Sequence, residues 1–276
     1  PLAAALRRQL AVSEDAAARP PLLAELAALQ EEQLGDPAGA IATLRRLLEL
    51  EPDRREALGR LDRLCAAAEK WVELADVLGR EIALADGAGD TGAAQGLRQR
   101  LAELKETRLL DRDGALALYE QLLAARPDDP AALERVEGIL KKDPAQARAA
   151  AALERAYAAS GAWARYAAVL EVRAGERPDP VERKALFLEL AEVQEQRLAN
   201  GELAFLALCR AYRDDPADPA LRAALARLAQ QFGHEEELAG LYEEEFGKLP
   251  PAAAAEVALA LGRLHEGKLQ APAEAI

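Results

Sequence analysis

The chain has 276 residues, half of them hydrophobic but only 4% aromatic, and a formal net charge of −13. That apolar content excludes a disordered polymer, and the negative field excludes a polyanion-binding surface of the usual basic kind. The apolar residues are mostly Ala and Leu, accompanied by Glu and Arg, which favour helix, while the β-branched residues that strands prefer are few. Two thiols in a chain of this size, Cys65 and Cys209, do not make a disulfide scaffold. No apolar run approaches the roughly 20 residues needed to span a bilayer. The chain begins at Pro1 rather than Met, so a targeting segment is compatible with it. The working expectation is a cytoplasmic location.

The first predicted element is the helix "PLAAALRRQL", with Leu2, Leu6 and Leu10 on one side. The segment "LAALQEEQLGDPAGAI" from Leu26 then reads as a helix, a short break and the start of a second helix. It returns as "LAELKETRLLDRDGAL" from Leu101, "LAEVQEQRLANGELAF" from Leu190 and "LGRLHEGKLQAPAEAI" from Leu261. The second helix has a register of its own. Ala40, Ala115 and Ala204 are each followed twelve residues later by Pro52, Pro127 and Pro216. A small residue lets two helices approach, and the Pro marks where the next helix must begin. Between them Ile41, Leu44 and Leu48, or Leu116, Tyr119 and Leu123, keep helical spacing. A further half-unit aligns "EKWVELADVLGREI" from Glu69 with "GAWARYAAVLEVRA" from Gly161 and "GHEEELAGLYEEEF" from Gly233. This alignment matches Leu74, Tyr166 and Leu238, then Leu78, Leu170 and Tyr242. Residues 129–143 read as an additional short helix, which explains why the second and third copies start further apart than the others.

These recurrences, above all "GDPAGAIATLRRLLELEPD", resemble the tetratricopeptide repeat (TPR) family of helical hairpins of roughly 34 residues. The resemblance covers nearly the whole chain. The first helix is one residue longer than the family's commonest form, its usual Trp and Tyr are missing, and the second hairpin of each unit is degenerate. The resemblance implies an all-α α-solenoid, a right-handed superhelix of about seven hairpins, whose stability sums over repeats and their neighbours. The chain reads as a single array over 1–276, with units at approximately 22–95, 97–182 and 183–250 and partial units at 1–21 and 251–276. With no polar capping helix at either end, the expectation is a window from a longer array or an array whose ends stack.

Gly87, Gly89 and Gly92 have the spacing of a dinucleotide-binding loop, G-x-G-x-x-G, which needs a strand before it. "VLGREIALAD" precedes it and keeps helical period, so the loop reads as a linker between units. Trp71 and Trp163 share a template position and read as core wedges rather than an aromatic cage. His234 falls in a turn and His265 at a polar position shared with Gln30, Lys105 and Gln194. Neither has neighbours at metal-ligand spacing. Ser13 and Ser160 fit no nucleophile elbow. Cys65 and Cys209, several helices apart, read as ordinary helix residues. The acidic helix from Glu235 is expected to bury Leu238, Leu241, Tyr242 and Phe246 and to expose its glutamates.

Glu31, Glu106, Glu195 and Glu266 recur at one position of every first helix. In the TPR family that helix lines the concave groove where extended peptides or partner helices bind. Invariance across the copies favours a structural role, an inter-repeat salt bridge or a backbone hydrogen bond, while the neighbouring Gln99, Glu103 and Glu192 vary and are better contact candidates. The candidate partner-binding set is therefore Gln99, Glu103, Glu106, Glu192 and Glu195. The family's carboxylate clamp uses Lys, Arg and Asn, and a single Asn, Asn200, argues against it. RNA-reading hairpin repeats need Asn, Ser and Thr, which are scarce. The sequence thus predicts a non-catalytic scaffold for a protein or peptide of basic character, with no cofactor, no metal, no nucleic acid and no membrane insertion. The alternatives are a self-assembling module that stacks end to end, forming homo-oligomers, and a nucleotide-binding enzyme using the 87–92 loop.

Overall fold

A computed structural model describes residues 2–13, 15 and 17–267. The second half of the fourth copy, from Lys268 to Ile276, lies outside the described residues. Fifteen α-helices account for the fold among the described residues: α1 (Leu2–Val12), α2 (Arg19–Glu32), α3 (Pro37–Leu50), α4 (Arg55–Ala67), α5 (Trp71–Gly87), α6 (Thr91–Thr107), α7 (Arg112–Ala125), α8 (Pro130–Lys142), α9 (Ala147–Ser160), α10 (Trp163–Gly175), α11 (Pro180–Glu192), α12 (Gly201–Asp214), α13 (Pro219–Phe232), α14 (Glu235–Glu245) and α15 (Pro251–Gly267). A π turn (Val193–Arg197) extends α11, and a 3₁₀ turn (Phe246–Lys248) follows α14. The chain divides into two compact halves, Pro1–Ala125 and Arg126–Ile276. In the first, each helix from α1 to α7 packs on the next, and in the second the same holds from α8 to α15.

The repeat register has a physical basis in burial. Ala40, Ala115 and Ala204 are all 0% exposed, so a larger side chain has no room at any of the three. Around them Leu44, Leu116, Tyr119 and Phe205 are buried too. Pro52, Pro127 and Pro216 sit in the turns, and the next helices begin three residues later, at Arg55, Pro130 and Pro219. The additional helix expected at 129–143 is α8, started by the Asp129 carboxylate accepting from Ala132 N–H at 3.0 Å.

One local device closes the first helix of each of the first three copies. Leu34, Leu109 and Leu198 donate their N–H groups five residues back, to Leu29, Leu104 and Val193. An i→i−5 turn takes up one residue more than an α turn, and the extra residue of the first helix goes there. The chain then needs a left-handed residue, supplied by Gly35 (φ 60°), Leu110 (φ 54°) and Ala199 (φ 51°). Asp36, Asp111 and Asn200 follow, donate their N–H groups to the carbonyls of Gln30, Lys105 and Gln194, and cap α3, α7 and α12 with their side chains. The shared polar position is therefore a pin under the turn. Gln30 is 2% exposed with its amide 2.7 Å from Thr43 Oγ1, and Lys105 Nζ lies 2.7 Å from Asp111.

The expectation for the acidic helix needs correction at both ends. Phe246 is 39% exposed because the chain leaves the helix in the 3₁₀ turn, so its side chain departs from the buried stripe of Leu238, Leu241 and Tyr242. Glu245 is 1% exposed, its charge met by Lys248 Nζ at 2.7 Å, and Glu235 is buried as well. The tryptophans are also less buried than wedges. Each is half-buried under a guanidinium, Arg108 5.0 Å from the Trp71 ring and Arg197 4.8 Å from the Trp163 ring. Arg108 and Arg197 are themselves equivalent in the repeat, so the clasp is a repeated joint.

Candidate interaction surface

Within each half, alternate helices lie side by side, and charged side chains join them. In the N-terminal half, Glu31 on α2 meets Arg60 on α4 at 2.7 Å and Arg63 at 3.8 Å, and Asp62 on α4 meets Arg100 on α6 at 2.9 Å. In the C-terminal half, Glu195 accepts two hydrogen bonds from Arg227 on α13 at 2.6 and 2.8 Å, and Arg222 on α13 pairs with Glu256 on α15. The helices α2, α4 and α6, and separately α11, α13 and α15, are thus rows bearing ionic rungs.

Two of the recurrent glutamates, Glu31 and Glu195, belong to these rungs. The Arg227 hydrogen bonds hold the Glu195 carboxyl below the usual range, and the guanidinium is raised in turn. Glu106 accepts from Tyr119 Oη at 2.9 Å, and Glu266 is exposed near the end of α15. The cationic partners were missed in the sequence, although a signal exists: Arg63 and Arg227 both stand eleven residues after their turn prolines, Pro52 and Pro216. Gly138 occupies that position after Pro127. Of the other candidates, Gln99 and Glu103 are half-buried one turn apart on α6, with Gln99 Nε2 3.4 Å from Glu103 Oε1. Glu192 is exposed at the end of α11.

One carboxylate on α5, next to the N-terminal row, is less comfortable. Glu81 Oε2 is buried without a hydrogen-bond partner, and burial and then the nearby Asp62 push this carboxyl up, with Arg100 opposing. A second ionic group ties α11 to α12 and the following turn. Arg183 pairs with Asp214, and Lys184 Nζ lies 2.7 Å from Asp215 and 2.8 Å from Asp218.

The glycine loop is a helix–helix turn. Gly87 ends α5, Gly89 has φ 71°, and Asp90 caps α6 by accepting from Ala93 N–H at 3.0 Å. The Ala93 N–H, one of the donors a phosphate would use there, faces the Asp90 carboxylate instead. Both thiols are buried, and burial pushes Cys209 up to about 11 and raises Cys65. Among the described residues, no group of three or more His, Cys, Asp or Glu side chains has the arrangement of a metal site, and no helix is long and apolar enough to cross a membrane.

No protein-family model matches the chain, and no curated protein matches it. Among solved structures, it is similar to known tetratricopeptide repeat proteins over most of its length. One is a tetratricopeptide repeat protein from Parabacteroides merdae, 16% identical, covering 93% of this chain and 89% of that one with a TM-score of 0.30. Another is the TPR2AB domain of yeast Sti1 in a complex with pHSP90, 13% identical, covering 87% of this chain and 92% of that one, also with a TM-score of 0.30.

Proposed function

We propose that the chain is a non-catalytic protein-interaction scaffold and that its first-helix rows hold a peptide or helix from a basic partner. The observation that carries this reading is the pair of rows, α2–α4–α6 and α11–α13–α15, with ionic rungs that keep neighbouring helices in register. A row of helices offers an extended polymer a run of side chains rather than one enclosed reaction chamber. The net charge of −13 draws in a cationic ligand. Gln99 and Glu103 on α6, and Glu192 at the end of α11, are the proposed first contacts. Glu106 and Glu195 take part by exchanging Tyr119 and Arg227 for a cation of the partner.

The test is fluorescence anisotropy of labelled 12-residue peptides, Arg-rich against Ser-rich, titrated with the full chain. The expected result is binding of the Arg-rich peptide that weakens with salt and falls at least tenfold in Glu103→Lys combined with Glu192→Lys. Equal affinity for the two peptides, or an affinity untouched by the charge reversal, would overturn the proposal.

A further inference from the structure

The opposite row of the C-terminal half carries a groove of another chemistry. Helices α8 and α10 form its walls and α9 its floor, enclosing a volume of about 410 Å³. Leu153 and Tyr157 floor it, Leu140 and Val169 line the walls, and Val172 stands on its lip 39% exposed. The charged groups around it are unequal. Glu137 accepts a hydrogen bond from Tyr157 Oη and lies 3.7 Å from Arg165, so its charge is already answered. Lys141 lines the groove and Lys142 follows it in the last turn of α8. Both are exposed, and neither makes an ion pair among the described residues.

We propose that this groove holds the apolar anchor of an acidic peptide segment from a protein partner. The charge balance selects the occupant. On a chain of net charge −13, two unanswered ammonium groups beside an apolar slot are a local exception, attracting a carboxylate-bearing segment that the rest of the surface repels. The form of the slot agrees, because two parallel walls over a helical floor accept the apolar stripe of a partner helix. This surface is separate from the first-helix rows and from the basic partner assigned to them.

The experiment titrates the full chain into a fluorescein-labelled 14-residue peptide of Leu and Glu at helical spacing, read by anisotropy. Two variants probe the groove. Ala168→Trp, at an exposed position on its wall, fills it, and Lys141→Glu with Lys142→Glu reverses its lip. The expected result is one-to-one binding, weakened at least tenfold by either variant while the circular dichroism spectrum and melting midpoint stay unchanged. The Arg-rich peptide of the preceding test should bind Ala168→Trp as it binds the parent chain. Absence of binding, or binding indifferent to both variants, would overturn the proposal. So would a doubling of mass in sedimentation that Ala168→Trp abolishes, since the groove would then belong to a second copy.

Discussion

Replacing Ala115 by Leu tests the packing register most sharply. Ala115 is 0% exposed, as are its counterparts Ala40 and Ala204, and Leu116 and Tyr119 beside it are 1% exposed. Three added carbons therefore have to displace packed neighbours, at a cost of about 1–3 kcal/mol. If the N-terminal half melts as its own unit of about 125 residues, the unfolding entropy is about 0.26 kcal/mol per degree. The midpoint should then fall by about 4–11 °C, or about 2–5 °C if the whole chain melts together. The assay is differential scanning calorimetry of the full chain, with Ala124→Leu as control, since Ala124 is exposed on the same helix. A midpoint for Ala115→Leu within a degree of the control would refute the register.

Leu110→Gly and Ala199→Gly should each stabilise the chain by up to about 1 kcal/mol, because relief of the left-handed backbone exceeds the added entropy of glycine. Leu110 is 76% exposed, so little packing is lost, and urea unfolding midpoints that fall instead of rising would contradict this. Glu81→Gln should raise the melting midpoint at pH 7. A carboxyl whose folded pKa is raised costs stability once it is ionised, so the gain should shrink as pH falls toward 4.5, and a pH-independent gain would point to another cause. Asp111, Asp218 and Glu195 behave in the opposite sense, held low first by hydrogen bonds from Lys105, Lys184 and Arg227 respectively. Their contribution is complete above their ordinary values of 3.8 and 4.5 and is lost as pH falls through the lower folded ones. In the Glu81→Gln background melting midpoints should therefore be level from pH 7 to about 5 and drop below about 4, and adding Lys184→Ala should flatten that drop.

Local spacing carried most of the architecture into the sequence. The Ala-to-Pro interval marks a close helix approach and the turn after it, and residues 129–143 could be recognised as a helix because they fit neither neighbouring segment. Long-range partners were harder to read. The Glu31 position recurs visibly, but its partners Arg60 and Arg63 lie on another helix about thirty residues on, and only Arg63 shares a register with Arg227. Helical period predicted that Phe246 would be buried, and the change to a 3₁₀ turn at Phe246 overrode it. The half-buried tryptophans and the pinning role of Gln30 depend on what the neighbouring helix places above them, which a single strip of sequence does not display. The groove over α9 escaped notice for the same reason, since its walls are thirty residues apart.

Amide hydrogen exchange of the full chain with and without the Arg-rich peptide tests the central claim most directly. The account predicts slowed exchange in α6 and at the end of α11, with α7 and α14 unchanged. Protection confined to α7 and α14, or none at saturating peptide, would contradict it.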